Sequence, residues 1–207
     1  MDAHALAMFL AAALLVAITP GPGIFYVGAR TLAGGRREGW ASSMGLGIGG
    51  LVHVAAGAVG VSALVMASAE AFTILKLVGA VYLVWLGVKA WREARVPAPA
   101  DVATTGPMRA LRDGILVEAL NPKTAAFFLA FIPQFVDASR PVAGQFVVLG
   151  LLSVCLNTTA DIIVVGWTAM ARARLGDRAM AIVRARQASG IVLCGLGASL
   201  LVARRAA

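Results

Sequence analysis

Apolar residues gather into six long stretches, at 5–30, 41–67, 70–91, 113–136, 142–171 and 187–203, with polar and basic residues between them. A helix needs roughly 20 apolar residues to cross ~30 Å of hydrocarbon. The pattern therefore predicts an all-α integral membrane protein whose six transmembrane helices form one domain over 1–207. The weakest boundary is Ala67-Ser68-Ala69-Glu70, where one charge and small residues make the turn. The clearest linker is the basic segment 92–112, interrupted by Pro97, Pro99, Gly106 and Pro107. It separates halves 1–91 and 113–207 with three helices each. Because three is odd, structurally related halves must insert upside down relative to one another, as in the inverted repeats of many secondary transporters.

Composition supports this reading. Of 207 residues, 60% are hydrophobic and 14% charged, against about 25% charged in a typical soluble domain. Disorder requires the opposite balance, and the glycines keep no collagen-like period. The net charge of +8 would suggest nucleic acid in a soluble chain, but here the basic residues flank apolar runs and report orientation. Arg30, Arg36 and Arg37 follow the first stretch, Lys89, Arg92, Arg95, Arg109 and Arg112 the third, and Arg172, Arg174, Arg178, Arg184 and Arg186 the fifth. Only Arg140 and the terminal Arg204-Arg205 oppose them, so the expected topology leaves both termini outside. Trp40, Trp91 and Trp167 sit near the same basic ends. Asp2 and His4 stand where a cleaved signal peptide would carry positive charge, so the first stretch is expected to stay attached as a helix. Cys155 and Cys194 lie in apolar stretches without ligand spacing and read as free thiols, with no metal or cofactor expected.

Two stretches carry a proline break: Thr19-Pro20-Gly21-Pro22-Gly23 in the first and Asn121-Pro122-Lys123 in the fourth. Proline has no N–H and clashes with the carbonyl four residues back, so Pro20, Pro22 and Pro122 should free the carbonyls of Val16, Ile18 and Glu118. Non-helical backbone at membrane depth needs a protein or aqueous cover, and matched breaks point to a transporter's binding site. Two purely structural kinks are the alternative. Glu118, Lys123 and Asp161 would each cost about 2.5–3.5 kcal/mol at a helix centre, so they need compensation, either in a shared cavity or as a static ion pair. Ser153, Asn157 and Asp161 recur every four residues and form one polar stripe. Gly50, His53, Gly57 and Gly60 fall at helical spacing, and His53 reads as an interhelical hydrogen-bond donor or as a proton carrier. A G-x-G-x-x-G match at Gly45, Gly47 and Gly50 has no preceding strand and is set aside.

The sequence resembles the lysine and homoserine/threonine exporter family (LysE/RhtB) over essentially its whole length. The resemblance rests on Thr19-Pro20-Gly21-Pro22, on 34–39 (Gly-Gly-Arg-Arg-Glu-Gly), on 76–83 (Lys-Leu-Val-Gly-Ala-Val-Tyr-Leu) and above all on 121–136, which opens Asn-Pro-Lys-Thr. It implies a multi-pass bacterial inner-membrane exporter of amino acids or related metabolites, driven by the proton gradient. The position after Pro-Gly-Pro, usually Asp or Asn in the family, is Gly23 here. The expected substrate site combines Pro20, Gly21, Pro22, Asn121, Pro122, Lys123 and Asn157, with Asp161, Glu118 and His53 as proton-coupling groups. Freed carbonyls and Asn121 would take the substrate's ammonium and polar groups, and Lys123 or a half-helix N-terminus its carboxylate. The remaining alternatives are a passive channel, a redox protein with His53 on haem, for which only His4 could be a second histidine, and an intramembrane enzyme, for which no H-E-x-x-H motif exists. Partners are then a small-molecule substrate, protons and lipid, with a homo-oligomer left open and no nucleic acid.

Overall fold

A computed structural model describes residues 3–67, 69–95, 103–171 and 178–202. The regular elements among them are all helices, with no strand: α1 Ala3–Ile18, α2 Pro22–Ala67, α3 Ala69–Arg92, α4 Pro107–Ala119, α5 Pro122–Ala126, α6 Val142–Ala171 and α7 Arg178–Val202. After α5 the chain runs through a π-helical turn, Phe127–Phe131, and a 3-10 turn, Ile132–Phe135. Among the described residues, four segments are long and apolar enough to cross a membrane: Pro22–Gly60, Thr73–Arg92, Pro107–Phe135 and Val142–Met170.

Several boundaries depart from the apolar stretches. The first stretch is two helices, because Thr19, Pro20 and Gly21 lie outside helix and Pro22 starts α2. Its second arm continues through Arg36 and Arg37 directly into the second stretch, so no loop separates them. The polar linker is also shorter than expected, since Pro107 opens α4 and Arg109 and Arg112 are helical; proline at a helix's first position loses no hydrogen bond. Likewise α7 starts at Arg178, well before the apolar run. Ser68, Pro97, Pro99, Arg172, Arg174, Arg204 and Arg205 lie outside the described residues.

The α2 helix is a hairpin. Gly35, at φ 72° and ψ −165°, breaks it into arms 22–34 and 36–67, in a conformation essentially reserved for glycine. The arms fold back on each other: Arg30 pairs with Glu38 at 3.6 Å, and Val27 and Leu46 share a buried cluster with Val165. Helix α4 lies against both arms. The Tyr26 hydroxyl donates to the Ala110 carbonyl at 2.8 Å, and a Cβ on Gly49 would come 2.5 Å from the Ile115 carbonyl oxygen and 2.9 Å from the Glu118 Cβ. Small residues thus let these backbones approach closely, as in packed membrane helices.

Segments of the first half run antiparallel to segments of the second and touch them. Phe9 meets Phe135 with ring centroids 5.5 Å apart, the Val16 carbonyl meets Lys123, Gly23 meets Glu118 and Arg30 meets Thr105. Gly47 faces Thr158, Gly50 faces Val154 and Gly57 faces Phe146, so arm 36–67 descends α6. Cys194 approaches the Val84 carbonyl at 3.5 Å, and Gly197 lies against Ala80, so α7 descends α3. An aromatic core of Phe9, Phe127, Phe128 and Phe146 packs below the two breaks.

Candidate functional site

The two proline breaks lie side by side. Helix α1 ends just before Thr19, and Lys123 reaches across to it: its ammonium donates to the Val16 carbonyl at 3.1 Å and to the Thr19 carbonyl at 2.9 Å. Val16 is the residue whose carbonyl Pro20 deprives of its helical donor, leaving it the Thr19 N–H at 3.2 Å. Carbonyls at a helix C-terminus carry partial negative charge, so a cation is their natural partner. A Cβ on Gly21 would stand 3.3 Å from the Lys123 Cε and Nζ, so glycine gives the lysine stem its room.

The second break is built around Glu118. Asn121 caps α5, its Oδ1 accepting from the Lys123 backbone N–H at 3.1 Å. Asn121 Nδ2 donates to Glu118 Oε2 at 2.8 Å, and the Thr124 hydroxyl donates to Glu118 Oε1 at 2.6 Å. The Glu118 carbonyl, displaced by Pro122, accepts from His53 Nε2–H at 2.8 Å and from the Asn121 N–H at 3.0 Å. His53 therefore makes an interhelical hydrogen bond. Glu118 and Lys123 are not the static pair that their spacing allowed, because each is held by different groups.

Glu118, Lys123 and Asp161 are 8%, 7% and 5% exposed and line one cavity with Asn121, Asn157 and Thr158. Ser153, Asn157 and Asp161 do form one stripe on α6: Ser153 is fully buried, and Asn157 Nδ2 donates to its carbonyl at 2.9 Å. The cavity measures about 20 Å³, enough for about one water-sized group. An amino acid does not fit without movement of the lining. Of the residues expected in the site, Asn121, Lys123, Asn157, Asp161 and Glu118 line the cavity, whereas Gly21 and His53 touch Lys123 and Glu118 from behind and Pro20, Pro22 and Pro122 act through the backbone they interrupt. Sequence reasoning missed Thr124, Thr158 and Phe128, which also line it. Thr124 was findable, since it directly follows Asn-Pro-Lys. Gly23, directly after Pro-Gly-Pro, is on the wall with its α-carbon facing Glu118.

A second polar cluster closes the far end of α4. Glu38 Oε1 accepts from the Thr105 and Gly106 N–H groups at 2.9 and 2.8 Å, and Arg30 donates to the Thr105 hydroxyl at 2.8 Å and the Ala103 carbonyl at 3.1 Å. The acid caps the start of a helix that has no side-chain cap of its own.

Helices of membrane-spanning length around a buried constellation of charged and amide groups define a multi-pass membrane protein with an internal polar site. The profile of the family described as LysE type translocator matches residues 14–204, so the chain belongs to that family, one of transporters. It is 38% identical to an uncharacterized membrane protein of Vibrio cholerae, over 85% of this chain and 84% of that one. It is 32% identical to a homoserine/homoserine lactone efflux protein of Salmonella typhi, over 79% of each. It is 29% identical to a leucine efflux protein of Klebsiella pneumoniae, over 69% of each. No solved structure gives a significant match.

Proposed function

We propose that this protein is a proton-coupled exporter of amino acids or close derivatives across the bacterial inner membrane, with its site at the two touching helix breaks. In this reading the chain crosses six times as two inverted three-helix repeats, with the site near the bilayer midplane. The observation that carries the reading is the contact of Lys123 with the α1 carbonyls, which joins two interruptions more than a hundred residues apart in sequence. The antiparallel contact of all three corresponding segment pairs supports the repeat. Homoserine, homoserine lactone and leucine, named for the relatives, share an α-ammonium but not a carboxylate, so the cation-binding part of the site sets the common requirement.

Asp161 and Glu118 are the proton carriers in this scheme, and each inward proton supplies about 2.3 kcal/mol per 100 mV. That supports a more than tenfold gradient of a zwitterion. Efflux of radiolabelled homoserine and leucine from proteoliposomes under an imposed pH gradient tests it. Asp161→Asn should abolish acceleration by the gradient while leaving slow exchange of internal for external substrate, and Glu118→Gln should slow both. Gradient-driven efflux that survives both substitutions refutes the assignment, and flux that never saturates indicates a channel.

A further inference from the structure

We propose that the Lys123 ammonium is a tethered stand-in for the substrate's own ammonium: it occupies the Val16 and Thr19 carbonyls in the empty carrier and is displaced when substrate binds. The proposal rests on the exporter reading and adds how the site chooses its substrate.

Four observations carry it. The carbonyls of Val16 and Thr19 converge at 3.1 and 2.9 Å on one ammonium nitrogen, at the negative end of a 16-residue helix. That is a primary-ammonium site, and the lysine already fills it. The free cavity beside it is about 20 Å³, so an incoming amino acid gains room only if a lining group leaves. Lys123 is the lining group with the longest flexible stem, and Gly21 leaves that stem unobstructed by side-chain bulk. Finally, Glu118 and Asp161 line the same cavity, so a displaced Lys123 ammonium finds carboxylates within it, or the carboxylate of a substrate that has one. An amine without a carboxylate can therefore still exchange, whereas an acid without an ammonium cannot occupy the carbonyl pair.

The exchange has a kinetic role. When substrate leaves, Lys123 returns to the carbonyls, so the empty site reorients without stripping the ammonium from the Thr19 carbonyl and from a Val16 carbonyl that keeps only the Thr19 N–H at 3.2 Å, at a depth where under-satisfied backbone is costly.

Binding of radiolabelled leucine to the full-length protein in nanodiscs, with export measured in parallel in proteoliposomes, tests this. Lys123→Met keeps the stem and removes the competitor, so leucine should bind about tenfold tighter, as expected when a competitor hides most sites, while maximal export falls at least tenfold. Weaker binding in this variant would mean that Lys123 anchors the substrate's carboxylate throughout, and overturns the proposal while leaving the exporter reading intact. The unmodified protein gives a second test that depends on no variant. Isoamylamine, which is leucine without its carboxylate, should compete with labelled leucine, and the α-hydroxy acid analogue of leucine should not. Competition by the hydroxy acid alone overturns the stand-in. If homoserine, leucine and isoamylamine are neither bound nor exported by the unmodified protein, the exporter reading fails first and the proposal with it.

Discussion

Residue by residue, the site is governed by what each side chain leaves room for. Gly49 lies against the backbone of α4, where a methyl group would meet the Ile115 carbonyl oxygen at 2.5 Å. Gly60 has open space at the same test. Gly49→Ala should therefore cost about 1–3 kcal/mol through overpacking and lower the thermal midpoint in detergent. Gly60→Ala should be neutral or gain up to ~1 kcal/mol from helix propensity. Equal midpoints for the two variants would mean that α2 and α4 are not in close contact. The sequence marked Gly50, His53, Gly57 and Gly60 as one face, but three positions turn a helix about 60° short of a full revolution. That offset suffices for Gly50 and Gly57 to meet α6 while His53 turns to Glu118 on α4 and Gly60 faces outward. Titratable residues in the apolar runs were legible one by one because each is expensive there. Their partners were not, because the acceptors of Lys123 are backbone carbonyls that carry no residue signature.

Among the elements, the hairpin α2 depends on two residues of a polar motif. Gly35 supplies a backbone conformation that costs other residues about 1–3 kcal/mol. Glu38 satisfies two N–H groups at the start of α4 and pairs with Arg30, and breaking a buried pair by removing one partner costs about 3–5 kcal/mol. Glu38→Ala should therefore destabilise by about 3 kcal/mol. Glu38→Gln keeps an oxygen for Thr105 and Gly106 and should recover part of the loss in the same unfolding experiment. If Glu38→Ala melts like the unmodified protein, the capping role is wrong. The double glycine announces a turn, but the Arg-Arg-Glu that follows is compatible with helix, so the connection vanishes into the hairpin and could not be placed from polarity alone. The turns after α5 were hidden for a different reason. The run Phe127 to Phe131 is uniformly apolar, and only Pro133, which cannot donate to a helix ladder, marks the irregularity.

At the scale of the whole molecule, the described residues sort their charges by end. The hairpin tip with Arg36 and Arg37 adjoins the start of α4 through Arg30 and Glu38, and α6 ends beside this tip because Val165 meets Gly39. Arm 36–67 leads away from it, and α3 starts from that far end and passes Ala130 at Gly79, so its last turn, with Lys89 and Arg92, heads back toward the tip. The opposite end holds the 136–141 turn with Asp137 and Arg140, close to the first turns of α1 through Phe9 and Phe135. Positive residues are retained on the cytoplasmic side during insertion, so the hairpin tip should be cytoplasmic and the turn at Ser139 external. In a background with Cys155 and Cys194 replaced by serine, a membrane-impermeant thiol reagent should label Ser139→Cys in intact cells and Arg37→Cys only after permeabilisation. The reversed pattern would invert the orientation and, in the proposed scheme, the side from which Asp161 would take its proton. Labelling of both from outside would contradict the separation of the two ends. The orientation also bears on the proposed transport: with the basic end inside, the negative end of the α1 dipole points toward the cytoplasm, so on the exporter reading an ammonium leaving the cell would meet its carbonyl acceptors on the way in to the site.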